Sequence, residues 1–155
     1  MFEHALDFMK ISESKSSKNS RSVIVCFVMH NDELLLLERS AQVELYNSWW
    51  NVLTGYHDGR SSAEQRVKEK LWEELGITSD VVKSVRVGQA YCSRHFVIEK
   101  DWTMLPVLVE LKEKPAIRLS GQHQSYRWVK LDDMKDYTIV PGIMDGFEQL
   151  KGVVA

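Results

Sequence analysis

Gly55-Tyr-His-Asp-Gly-Arg-Ser-Ser-Ala-Glu-Gln-Arg-Val-Lys-Glu-Lys-Leu-Trp-Glu-Glu-Leu-Gly-Ile77 decides the fold. It reads as a loop feeding a helix from Ser62 to Leu75. Ser61 with Glu64 forms one capping box and Ser62 with Gln65 another, and Gly76 stands where a left-handed residue ends a helix. At about 100° per residue, Ala63, Val67, Leu71 and Leu75 share one flank while Arg66, Glu69, Lys70, Glu73 and Glu74 share the next. The first flank packs and the second carries charge. Glu73 and Glu74 fall in the last turn, where the helix dipole makes each exposed carboxylate cost about 0.3–1 kcal/mol. A cation should offset them, either a divalent ion with oxygen ligands or Lys70 and Arg66 on the same flank.

The segment resembles a Nudix box: Gly, five residues, Glu, seven residues, Arg-Glu, an aliphatic, any residue, Glu-Glu, any residue, Gly and an aliphatic. Without gaps, Gly55, Leu71, Glu73, Glu74, Gly76 and Ile77 meet their positions. Three positions depart. Ser61 stands where the first Glu belongs, Glu69 where the Arg belongs, and Lys70 where the second Glu belongs, a place that in the family usually ligates metal. The hairpin before the box and Gln122 to Val129 after it also look like Nudix counterparts, so the resemblance runs from about Ser22 to Gln149.

Working outward, Ser22 to Met29 is a β-branched apolar run, His30-Asn31-Asp32 a turn, and Glu33 to Glu38 a leucine-rich strand, a hairpin buried on both faces. Arg39 to Ser48 is a polar loop ending at Trp49 and Trp50. Adjacent side chains of an extended segment point to opposite faces, so at most one tryptophan is expected to serve the core while the other looks toward the surface or a cleft for base stacking, the alternative being that both pack under loops. Asn51 to His57 is a short strand entering the box. Beyond it come strands over Asp80 to Tyr91, Thr103 to Leu111 and Tyr126 to Lys130, a helical turn at Leu131 to Tyr137, and a helix Gly142 to Lys151 opened by Pro141. Propensity alone gives an α/β or α+β class. The resemblance implies α/β: a Nudix-type α/β/α sandwich with a mixed sheet, residues 21–155 as one domain and residues 1–20 as a loosely ordered leader.

The chain of 155 residues carries a formal charge of −2 and 44% hydrophobic residues, which suits one domain and supplies no basic field for duplex nucleic acid. No apolar run approaches the roughly 20 residues of a membrane span. Cys26 and Cys92 lack paired spacing and read as buried, reduced thiols, so a cytoplasmic protein is expected. Oligomeric state stays open, with a homodimer among the options.

The resemblance implies a hydrolase that splits a phosphoanhydride in a nucleoside-triphosphate-like or nucleoside-diphosphate-linked small molecule, using Mg²⁺ or Mn²⁺ held by carboxylates. Glu73, Glu74 and Glu69 are the candidate metal-binding and catalytic residues. Gly55, Trp50 and Arg39 are the candidate substrate contacts. Against this, Ser61, Lys70 and Gln122 each stand where relatives place an acid. Lys70 lies between Glu73 and Glu74 in angle, where its ammonium can pair with both and fill the volume of the ion. The alternative is a catalytically inert Nudix-fold module that binds a nucleotide or a protein. Isopentenyl-diphosphate isomerase shares the fold but needs a reactive Cys where Thr54 stands, and is set aside.

Overall fold

β1 (Arg21–His30) and β2 (Glu33–Arg39) form the expected hairpin, turning through Asn31 at φ 55°. A computed structural model describes residues 21–92 and 102–151; the leader at residues 1–20, with Arg94 and His95, lies outside them. Successive side chains of a strand alternate, and here both sides are covered. Ile24, Cys26, Val28, Leu35 and Leu37 join one buried cluster, and Val23, Val25, Phe27, Met29, Leu34 and Leu36 the other.

The strand before the box is broken at Val52 into β3 (Trp50–Asn51) and β4 (Leu53–His57). After α1 (Ala63–Leu75) come β5 (Val82–Val87), β6 (Trp102–Leu111), β7 (His123–Lys130) and α2 (Ile143–Gln149). The seven-stranded sheet is mixed: β3-β2-β1-β6-β5, with β4 also on β1 and β7 also on β2. β1 runs parallel to β6 and antiparallel to β2 and β4. Val67, Leu71 and Leu75 of α1 complete the first cluster, and Ile143 and Leu150, at and just beyond α2, complete the second. Burial of each such side chain contributes about 1.5–3 kcal/mol.

Several boundaries differ from expectation for local reasons. Ser79–Val81 forms a 3-10 turn, so β5 starts only at Val82, and Tyr91 keeps a single bridge to Met104. β7 starts three residues earlier, because His123 pairs with Arg39 across a register shift in β2. The helical turn at Leu131–Asp136 is 3-10. Gly142, at φ 90°, caps α2, which puts Pro141 outside the helix rather than at its first position. Cys26 is buried, and burial drives its thiol far above its ordinary pKa, whereas Cys92 is exposed rather than packed.

Candidate functional site

α1 is fixed at both ends by its own sequence. Ser62, not Ser61, is the N-cap: its hydroxyl accepts from the Gln65 amide at 3.0 Å. The Ser61 carbonyl instead accepts from His57 Nε2 at 2.7 Å, tying the loop to β4. Gly76 takes the left-handed conformation at φ 68°, and the Gly76 and Ile77 amides donate to the Trp72 and Leu71 carbonyls, both at 3.0 Å.

The cation for the acidic helix end comes partly from a residue that the sequence did not point to. Arg118 donates through Nη2 to the Trp72 carbonyl at 3.0 Å and stacks over the Trp72 ring at 4.9 Å. Its backbone amide bonds the Leu75 carbonyl at 2.9 Å. From the same connection, Ser120 Oγ donates to Glu74 Oε1 at 2.9 Å.

The charged flank divides into two groups. Arg66, held by an Nε bond to the Tyr56 carbonyl at 3.0 Å, sets Nη1 3.2 Å from Glu69 and 3.8 Å from Glu73. Lys70 reaches Glu74 at 3.5 Å and makes no ion pair with Glu73, a correction to the expected double pairing. Gly55 explains its course: a Cβ there would lie 2.7 Å from Lys70 Cε, so the lysine stem runs across bare backbone of β4. Its side chain is only 11% exposed, whereas those of Glu69 and Glu73 are 45% and 53% exposed. Lys70 is therefore a packed residue of the site and not a solvated one. Beside it, Tyr56, Asp58, Arg60, Ser61, Arg66 and Glu69 line a polar recess of about 340 Å³. There the Arg60 amide bonds Asp58 at 2.9 Å and holds its carboxyl below the usual range.

The other candidate substrate residues are not brought to this flank. Trp49 and Trp50 both pack on the α2 face, Trp50 edge-on to Tyr137 at 5.3 Å and Trp49 against Tyr46 at 4.9 Å. Trp49 precedes β3, so strand alternation does not govern it, and of the two readings the one in which both tryptophans pack is the one observed. Arg39 is 3% exposed and donates from Nε to the Leu45 carbonyl at 3.1 Å, clamping its own loop. The Gln122 carbonyl accepts from the Ser40 amide at 2.9 Å, and its side-chain oxygen is buried without a hydrogen-bond partner among the described residues.

A hard divalent ion gathers oxygen ligands at one point, one or more carboxylates completed by waters or substrate phosphates. Among the described residues no three His, Cys, Asp or Glu side chains converge in this way. Glu69 and Glu73 face a guanidinium and Glu74 faces an ammonium, so as placed the three candidate acids are paired with the chain's own cations and are not gathered on one point.

The Nudix domain profile matches residues 18–148. The chain belongs to the Nudix domain family. No curated protein matches it in sequence. A Nudix fold at low identity is evident in solved structures. The bifunctional NMN adenylyltransferase/ADP ribose pyrophosphatase of Francisella tularensis superposes with TM-score 0.70 at 13% identity, over 99% of this chain and 46% of that one. This chain thus spans about half the length of the Francisella protein. The Nudix domain of Shewanella oneidensis NrtR, complexed with ADP ribose, gives 0.69 at 14% identity over 97% and 98%. The MutT protein of Methanosarcina mazei Go1 gives 0.63 at 20% identity over 90% and 99%. At these identities the likeness shows the fold, and the activity must be argued from the residues. No helix among the described residues is long and apolar enough to cross a membrane.

Proposed function

We propose that this Nudix domain recognises a nucleotide-like ligand, a nucleoside joined to a diphosphate or triphosphate, without metal-dependent hydrolysis. The observation that carries this reading is Lys70, packed across Gly55 and directed at Glu74 in the box position where the family usually has a metal-binding acid. The ligand class is supported by the family and by the ADP ribose in the Shewanella structure.

A second reading keeps the enzyme: phosphoanhydride hydrolysis with Mg²⁺ or Mn²⁺ on Glu69, Glu73 and Glu74. The half-exposed Glu69 and Glu73 favour it, because both face one guanidinium and a swing of Arg66 would release them together. A phosphate-release screen separates the two. Nucleoside triphosphates, dinucleoside polyphosphates, nucleotide sugars and ADP-ribose are offered with Mg²⁺ or Mn²⁺, and calorimetric binding is followed in parallel. Binding without phosphate release is expected. Release that needs the divalent ion and is lost in Glu73→Gln would establish the hydrolase instead.

A further inference from the structure

Lys70 brings an ammonium with three donors to a mostly buried position, and among the described residues it has one ionic partner, Glu74 at 3.5 Å. A buried charge is costly unless it is both paired and hydrogen-bonded, and this one is loosely paired. Glu74 does not depend on it, because Ser120 already donates to the carboxylate at 2.9 Å. One helical turn earlier on the same row stands Arg66, whose Nε and Nη1 are engaged and whose Nη2 makes no hydrogen bond among the described residues. The two cations are anchored at adjacent residues of β4, Arg66 on the Tyr56 carbonyl and Lys70 across Gly55. An ammonium suits a phosphate oxygen as a point charge, and two cations one turn apart suit two linked phosphates better than one.

We infer that Lys70 is a tethered cation that, with Arg66, takes the anionic oxygens of the ligand's diphosphate in place of a divalent ion. This rests on the nucleotide-ligand reading above and adds how the ligand is held: binding proceeds in a chelator, and the lysine supplies the charge. Glu74 is its competitor for the ammonium.

Calorimetry with inorganic pyrophosphate and with ADP-ribose, each in EDTA and in Mg²⁺, tests it. Wild-type protein is expected to bind pyrophosphate in EDTA and to gain no affinity from Mg²⁺. Lys70→Met should weaken binding about tenfold or more, and Glu74→Gln should tighten it several-fold. Unchanged affinity in Lys70→Met, or wild-type binding that requires Mg²⁺, overturns the inference. If circular dichroism shows Lys70→Met unfolded, Glu74→Gln decides alone, and affinity that is equal or lower overturns it. ADP-ribose separates this inference from the functional reading. Equal ADP-ribose affinity in wild type and Lys70→Met sinks the tethered cation and leaves the nucleotide reading standing. Lysine-dependent pyrophosphate binding with no gain from the nucleoside supports the tethered cation and removes the nucleotide.

Discussion

Val67, Leu71 and Leu75 on one flank of α1 are no more than 1% exposed, while on the next flank Glu69 and Glu73 stand half in solvent and Lys70 is packed away. On the first flank Leu71 keeps its box position, while on the second Glu73 and Glu74 keep theirs and Glu69 and Lys70 depart. The difference shows that the pattern joins two separable demands. Apolar residues at helical spacing against a sheet are needed for the fold to form. The acids of the same helix serve chemistry, and they can be exchanged as long as the new charges find partners.

The sharpest way to break this comparison is to cut each flank once. Leu71→Ala, which empties a position 1% exposed, should destabilise the domain by about 2–5 kcal/mol in urea unfolding. Glu73→Gln should stay within about 0.5 kcal/mol, because its pair with Arg66 is long and exposed. Equal losses would mean that the charged flank also holds the fold.

Gly55 and Lys70 belong to both demands, so their coupling is the next test. A Cβ at residue 55 would meet Lys70 Cε, Cδ and Cγ at 2.7, 3.1 and 3.3 Å, the whole stem and not just its tip. Gly55→Ala is therefore expected to cost about 1–3 kcal/mol through overpacking. In a Lys70→Ala background the same change should cost at least about 1 kcal/mol less, measured as a double-mutant cycle. Additive losses would show that the lysine does not lie across the strand.

Much of this division was legible in the residues. The β-branched and leucine runs of β1 and β2 announce a hairpin buried on both sides, and Ser62, Gln65, Gly76 and the apolar spacing delimit α1. What was not legible depends on contacts between distant parts of the chain. Arg118 meets Trp72, and Ser120 meets Glu74, each across 46 residues, and neither lies in a periodic segment that would mark it. The substitution at Lys70 was visible, but which acid it would choose depended on Arg66 already holding Glu73 and Ser120 approaching Glu74. Likewise Trp49 and Trp50 share a face because β3 is only two residues long, too short for alternation to reach Trp49.

Placing an acid at residue 70 should bring the charged flank back to the box pattern. Lys70→Glu removes the ammonium and adds a carboxylate beside Glu73 and Glu74, and Mn²⁺ affinity by calorimetry should rise about tenfold or more, roughly 1.4 kcal/mol. No gain in Mn²⁺ affinity would show that Arg66 alone suffices to exclude the ion. In that case Arg66→Gln added to Lys70→Glu is the variant in which binding should appear.

The smallest effect concerns the two neighbouring serines, which offer α1 two capping registers in the sequence and only one in the structure. Ser62 takes extended dihedrals, φ −67° and ψ 155°, and its hydroxyl bonds the Gln65 amide, whereas Ser61 contributes a carbonyl to His57. A capping hydroxyl satisfies a helix amide that would otherwise lack a partner, so Ser62→Ala should cost about 1 kcal/mol. Ser61→Ala keeps the carbonyl and should stay within about 0.5 kcal/mol. Both can be read from urea midpoints, provided the m-values match wild type, since an altered slope would report a changed ensemble and not a lost cap. The reverse order, with Ser61→Ala the costlier, would move the helix start one residue earlier. That shift would rotate the first turn relative to Arg66 and Lys70, and with it the register on which the comparison of the two flanks depends.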